Sequence, residues 1–160
     1  MAIDFHIKFD GVEGESTHKD HKGEVEVLSW SWNVSRPPVA PGGGGAGTGK
    51  AQPGDLVIMH TYDKASPLLA KQCAQGRHFP TVVMTARKAG EGQKDFLKIT
   101  MKEVFITSVA PSGSGAGGDI MESVSMSYGQ IDFSYKPQNA TGGLGAEVKF
   151  GWNVKTSQIT

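Results

Sequence analysis

Hydrophobic and polar residues alternate through most of this chain, with the period of two expected of strands that bury one face. Near the start of the chain, one phase of the alternation is apolar and consists of Ile3, Phe5, Ile7 and Phe9. The other phase is polar and consists of Asp4, His6 and Lys8. Because no long helical pattern is present to cover such faces, the strands must cover one another. We therefore predict a mainly β fold: a closed antiparallel β-barrel or a two-sheet sandwich, with one short α-helix and a long extended loop.

The most aromatic strand changes phase midway. Val25 and Val27 share one phase, and the opposite phase holds Leu28, Trp30, Trp32 and Val34. A β-bulge near Val27 would let both sets face one core, and a similar change of phase at Gly129 predicts a second bulge.

Burial of large aromatic side chains is strongly favourable, so we expect Trp30, Trp32 and Trp152 in the core. The alternation then turns three polar side chains toward solvent, a neighbouring subunit or a cavity: Ser29, Ser31 and Asn33.

Two segments depart from the alternation. Residues 35–54 are dominated by proline and glycine, which predicts the long extended loop. Residues 66–76 predict the helix, with Ser66 as its N-cap and Gly76 ending it. Leu69 and Cys73 would form its apolar stripe.

About eight strands remain, among them residues 55–62, 80–88, 95–109 and a closing strand near 148–154. The whole chain, 1–160, is predicted to be one domain.

Charge and cysteine content narrow the classes of function. The chain has 16 Lys and Arg residues against 16 Asp and Glu residues, which gives no net field to hold nucleic acid or an anionic membrane. The single cysteine, Cys73, cannot form an internal disulfide, so we expect the protein to be made in the cytoplasm. The start resembles neither a signal peptide nor a membrane span, so export would not use a cleaved signal.

Few residues have the spacing of a nucleotide-binding or metal-binding motif. Residues 44–50 have the glycine-to-lysine spacing of a phosphate-binding loop, but Ala51 replaces the magnesium-binding hydroxyl and Pro53 blocks the helix that should follow. His18 and His21 have a metal-ligand spacing, but lie in a hydrophilic stretch typical of a solvated turn.

For the remaining reactive residues, ordinary structural roles are expected. We predict hydrogen-bonded or exposed rings for His6, His60 and His78, and a buried thiol for Cys73. The chain is thus predicted to be no enzyme and to need no cofactor or metal.

Several segments together resemble one protein family. They are residues 2–4, 11–16, 27–32, 42–45, 87–90, 97–104 and 150–153, in which Leu28-Ser-Trp-Ser-Trp32 and Phe150-Gly-Trp-Asn153 stand out. In this order and spacing they are similar to the haemolysin-coregulated protein (Hcp) family over essentially the whole chain.

The resemblance implies a ring of six β-barrels around a wide channel, with rings stacked into the inner tube of the type VI secretion system. The tube would sit inside a contractile sheath, carry a trimeric VgrG spike, shelter small effectors in its lumen and be expelled from the cell. By position, Ser29, Ser31 and Asn33 would face the channel or the seam between subunits. The loop, including Gly42, Gly43, Gly44, Gly45 and Lys50, would contribute to ring stacking.

Two alternatives remain open from the sequence. The chain could be a monomeric barrel whose tryptophans line a pocket for a small apolar ligand. It could also be a hydrolase that uses His18, His21 or a loop serine, although no reaction can be nominated.

Overall fold

A computed structural model describes residues 2–38, 50–90 and 92–160 of the chain. The first half contains β1 (Ile3–Phe9), β2 (Val25–Val27), β3 (Ser29–Ser31), β4 (Val34–Ser35), β5 (Gln52–Pro53), β6 (Leu56–Thr61) and α1 (Ser66–Gln75). The second half contains β7 (His78–Lys88), β8 (Asp95–Ser112), β9 (Met121–Ser127), β10 (Gln130–Tyr135), β11 (Val148–Asn153) and β12 (Gln158–Ile159). The prediction of a mainly β chain with one short helix is confirmed.

All strand pairs among these residues are antiparallel, and the long strand β8 joins two branches of the main sheet. One branch runs in the order β12-β11-β10-β8-β7-β1-β2, and the other runs from β8 through β9 and β6 to β3. Strand β8 has 18 residues, so its first part can pair with β10 and its last part with β9.

The two predicted changes of phase occur where expected, but neither is a bulge. At Leu28 the chain leaves its ladder with β1 and begins a new ladder with β6. At Gly129, between β9 and β10, the chain keeps β8 as one neighbour and exchanges β6 for β11 as the other. A change of pairing partner resets the phase as a bulge would, and it lets the strand turn a corner. Leu28 lies at the corner and is exposed, contrary to prediction. The register shifts lie instead beside Ala86 and Ile106.

These changes of partner also explain why the structure describes more strands than the eight expected. One apolar run in the sequence becomes two short strands at each corner, and β4, β5 and β12 have only two residues each. Segments so short carry no usable periodicity, which requires several residues.

The helix begins one residue earlier than predicted. Ala65 is the N-cap and Ser66 is the first helical residue. The Ser66 hydroxyl accepts the Asp63 backbone N–H at 3.1 Å, so it stabilises the turn before the helix instead of capping it. The end is as predicted, because Gly76 adopts a left-handed φ of 65° that favours glycine. Leu69 is fully buried, Cys73 is half-buried, and the helix packs against β8.

The ends of the predicted loop 35–54 pair with each other. Val34 faces Pro53 and Ser35 faces Gln52 in a two-stranded ladder, which we call the stem. Gly42, Gly43, Gly44 and Gly45 lie outside the described residues, and Lys50 is described and exposed.

The core lies between the two branches and is mainly aliphatic. Its fully buried members include Ile7, Leu56, Ile58, Met101 and Met126. Trp152 is buried among them as predicted, whereas Trp30 and Trp32 are half-buried and pack against the edge of this core. No helix among the described residues is long and apolar enough to cross a membrane.

Candidate assembly surfaces

The structure places the predicted polar residues of the tryptophan strand on an outward face. Ser29, Ser31 and Asn33 are all exposed, and the indoles of Trp30 and Trp32 between them contact the core. The alternation alone therefore located this face correctly, because side chains in a strand alternate between the two sides of a sheet.

The face extends across three further strands. One row of facing residues crosses β3, β6, β9 and β8 in the order Ser29, Met59, Ser123 and Ala110. A second row crosses the same strands in the order Ser31, Val57, Ser125 and Ser108. Residues directly opposite in a ladder share one side of the sheet. We call the hydroxyl-bearing members the serine face: Ser29, Ser31, Ser108, Ser123 and Ser125. Each is exposed or half-exposed, and none of the eight positions in these two rows bears a charge.

Sequence reasoning missed three members of the serine face. Ser123 and Ser125 alternate with the buried Val124 and Met126, so their outward direction was available from the pattern. Their proximity to Ser31 was not, because it depends on which strands pair.

The other outward face of the sheet is strongly charged. It carries Asp4 and Lys8 on β1, Lys98 and Lys102 on β8, Asp132 on β10 and Lys149 on β11. The chain thus presents two walls of different chemistry, of which only the serine face is uncharged.

The stem is fixed to the body by a chain of hydrogen bonds. The Trp32 indole N–H donates to the Tyr128 hydroxyl at 2.5 Å, and that hydroxyl donates to the Gly54 carbonyl at 2.7 Å. The Trp32 ring also lies 4.8 Å from the Phe133 ring. Burial raises the pKa of Tyr128, which keeps its proton available as the donor.

Gly54 permits a close approach at the same place. A Cβ atom there would lie 1.9 Å from the Asn33 side-chain oxygen, and the Gly54 N–H donates to the Asn33 carbonyl at 2.7 Å. The residues flanking the stem are therefore held in one arrangement relative to β3.

Two histidines, His21 and His6, differ from prediction. His21 is buried, not solvated: its Nδ1 lies 2.8 Å from Glu24 Oε2 and its Nε2 lies 3.0 Å from Asp95 Oδ1. His6 is also buried and its ring stacks on that of His21 at 4.7 Å. The carboxylate partner Asp95 is 74 positions away from His21, so no local pattern could reveal this contact.

The remaining histidines follow expectation. His60 is fully buried and its Nε2 lies 2.8 Å from Glu122 Oε1, while His78 is exposed. Within residues 2–38, 50–90 and 92–160, no group of three or more His, Cys, Asp or Glu side chains is positioned to hold a metal ion.

The fold and surfaces define a class: an antiparallel β protein whose distinguishing features are outward polar walls and an anchored stem. Comparison with known proteins gives the family. The sequence profile described as "Type VI secretion system effector, Hcp" matches residues 6–135. The chain belongs to the Hcp family of type VI secretion proteins.

Individual relatives agree with this assignment. The chain is 42% identical to protein hcp1 of Pseudomonas aeruginosa over 157 residues, which is 97% of both chains. It resembles the crystal structure of Hcp1 from Salmonella typhimurium with a TM-score of 0.82 and 33% identity, covering all of both chains. It resembles a structure described as a type six secretion system protein with a TM-score of 0.92 and 30% identity, covering 99% of this chain and all of that one.

Proposed function

We propose that this chain is a structural subunit of the inner tube of a type VI secretion system. Six copies would form a ring, and stacked rings would enclose a lumen that carries small effectors. Family membership supports the assignment to the inner tube. The observation that supports a lumen able to carry effectors is the uncharged serine face. The proposal includes no catalytic role and no cofactor.

We infer that the two sheet branches close into a single barrel formed by one domain, residues 1–160. The branches end on β2 and β3, which are consecutive in the chain, and the intervening Leu28 N–H donates to the Met59 carbonyl at 2.8 Å. Closure would remove the unpaired edges that these strands would otherwise expose to other chains.

The chemistry of the serine face suits a channel wall. A lumen that passes different proteins must avoid strong, specific attraction, which formal charges or large apolar patches would create. Small hydroxyl side chains remain hydrated and bind weakly. The charged wall is better suited to fixed contacts, where complementary charges set orientation.

The stem supports a role in stacking for the loop that it begins. Its anchoring through Trp32, Tyr128 and Gly54 would give the loop a fixed starting direction from each subunit. We assign contact with the adjacent ring to the segment from Gly42 to Gly45 and to Lys50.

The wider assembly follows from this assignment. The subunit would be made in the cytoplasm and exported through the secretion system without a cleaved signal peptide. Its partners would be further copies of itself, the surrounding sheath, the VgrG spike and effectors in the lumen. It would bind no nucleic acid and insert into no membrane. The alternative is a monomer that binds a ligand in a pocket lined by tryptophans. It gains no support from Trp152, which is packed in the core.

Purified protein should form rings of six subunits with an open centre in negative-stain images, and light scattering should report the mass of a hexamer. A variant lacking Gly42–Gly45 should keep the rings but form shorter stacks, because the barrel does not need those residues. A strictly monomeric species at high concentration would contradict the proposal, and unchanged stack lengths in the deletion variant would contradict the role of the loop.

Substitutions on the serine face should alter cargo retention and leave the ring intact. We expect Ser31→Gln and Ser125→Gln each to reduce the amount of a co-expressed effector that purifies with the ring by about tenfold, which corresponds to about 1.4 kcal/mol. The matched control is Thr100→Gln, on the charged wall of β8, which should retain cargo normally. Loss of the fold in Ser31→Gln would show that this side chain belongs to the core. Equal losses in all three variants would contradict a lumen at the serine face.

A further inference from the structure

The segment Asp10–Glu24, which we call the histidine loop, folds as a unit of its own. Gly14 N–H donates to the Gly23 carbonyl at 2.8 Å, and Ser16 N–H donates to the Glu24 carbonyl at 3.0 Å. Among the described residues, its backbone–backbone hydrogen bonds beyond the strand ladders stay within positions 9–24. No backbone ladder therefore fastens this loop to the sheet, and side chains must do so.

Those fastening contacts are almost all ionisable. Asp20 accepts a hydrogen bond from Arg87 at 2.8 Å, His21 contacts Asp95 at 3.0 Å, and Glu15 accepts the Lys64 backbone N–H at 2.7 Å. The ring of His21 also stacks on that of His6, with an interplanar angle of 9°, and the ring of His18 lies 5.3 Å from that of His6. Glu13 pairs with Lys64 Nζ at 3.5 Å, and Val12 makes the apolar contact by packing against the core. A change of protonation can therefore affect most of the attachment at once.

The two rings of the stack have different polar surroundings. Both nitrogens of His21 face carboxylate oxygens, of Glu24 and of Asp95, and both can donate only when the ring is an imidazolium. His6 has no such partner: its Nδ1 is buried and makes no hydrogen bond within the described part of the chain. A positive charge on His6 would be buried without a hydrogen-bond acceptor at Nδ1, with its ring 4.7 Å from that of His21.

The charged and titratable groups around His6 come from every neighbouring element. They are Asp4 and Lys8 on β1, Glu26 on β2, Arg87 on β7, Asp95 on β8, and His18, Asp20, His21 and Glu24 in the loop. A hollow of about 380 Å³ lined by Asp4, His6, His18 and Glu26 gives water, and so protons, a route to the ring.

We propose that the histidine loop is an acid-released latch, closed while His6 in the His6–His21 stack is neutral and released when His6 takes up a proton. Release would expose His6 and Arg87 on β1 and β7 while the sheet itself stays folded. The latch is a property of the single chain and does not depend on ring formation.

The direction of the pH dependence follows from the environment of His6. Burial, together with the charges of His21 and His18, lowers the pKa of His6 to about 4, although Asp4 opposes this. The open loop would restore an ordinary pKa near 6.5. Neutral His6 thus stabilises the closed latch fully above about pH 6.5, and this stabilisation is lost as the pH falls toward 4.

Two carboxylates that fasten the loop, Asp20 and Asp95, keep their charge over the same interval. The hydrogen bond from Arg87 lowers the pKa of Asp20. Burial acts to raise the pKa of Asp95, but hydrogen bonds from Arg87 and His21 outweigh it and the net shift is downward. Protonation of His6 therefore does not need to be accompanied by loss of the Asp20 and Asp95 charges for the loop to be released.

Amide hydrogen exchange on the full-length chain tests the latch. After correction for intrinsic exchange rates, we expect protection of residues 14–24 to fall by roughly 50-fold between pH 7 and pH 4.5, while β7 stays protected. His6→Phe and His6→Gln cannot take up the proton and should show no such fall. His78→Gln, which removes an exposed histidine, should behave like the wild type.

Two results would overturn the proposal. One is an equal loss of loop protection in the His6 variants, and the other is simultaneous loss of protection in the loop and β7, which would mean global acid unfolding. The wild type also provides a test that needs no variant. Titration of the His6 ring followed by NMR should have the same midpoint as loop opening, and clearly separate midpoints would overturn the latch.

Discussion

Glu122→Met should lower the free energy of unfolding by about 3 kcal/mol, because it leaves His60 without its partner in the core. Both side chains are almost fully buried, and His60 Nε2 lies 2.8 Å from Glu122 Oε1. The other ring nitrogen already lacks a hydrogen-bond partner within the described residues, and its closest carboxylate oxygen, of Asp63, is 3.9 Å away. Urea unfolding followed by tryptophan fluorescence measures the change.

Replacing both partners gives the decisive comparison. In the double variant His60→Leu/Glu122→Met no polar group is left unpaired, so we expect most of the lost stability to return. Glu26→Met, at an exposed position on β2, is the matched control and should change stability by less than about 0.5 kcal/mol. A single variant as stable as the wild type would show that the pair does not fix the ends of β6 and β9.

Trp32→Ala should have a comparable effect on stability and a further effect on the stem. The ring packs at 4.8 Å from that of Phe133, and its N–H begins the hydrogen-bond chain to Gly54. Loss of a half-buried indole is expected to cost about 3 kcal/mol. Because the hydrogen bond from Trp32 to Tyr128 is lost too, the stem should open more often under native conditions.

Limited proteolysis with trypsin can detect that opening, since Lys50 lies beside the stem and is followed by Ala51, whereas the bond after Arg36 is protected from trypsin by Pro37. We expect faster cleavage after Lys50 in Trp32→Ala, and an intermediate rate in Trp32→Phe, which keeps ring packing but loses the N–H. Trp30→Ala is the control: Trp30 packs at 6.4 Å from Phe5, away from the stem. If Trp30→Ala accelerates cleavage as much as Trp32→Ala does, general destabilisation explains the result and the anchoring role is wrong.

The two tryptophan-strand residues Ser31 and Trp32 show how much the sequence could predict. Their opposite directions followed from the period of two, because a buried face and a hydrated face leave that signature. The phase changes at Leu28 and Gly129 were also visible, but a bulge and a change of partner leave the same trace in the sequence. Only the ladders distinguish them.

The sequence by itself determined that this chain is mainly β, that its helix ends at Gly76, that Ser29, Ser31 and Asn33 face outward, and that it resembles the Hcp family. Each of these depends on local periodicity, backbone preference or an ordered set of motifs. The tertiary structure alone decided that Ser125 joins Ser31 on one uncharged wall, that Asp95 reaches His21, and that Tyr128 anchors Gly54. The last two of these contacts each join residues 74 positions apart. Such long-range pairing is set by the packing of the whole sheet, which no local segment encodes.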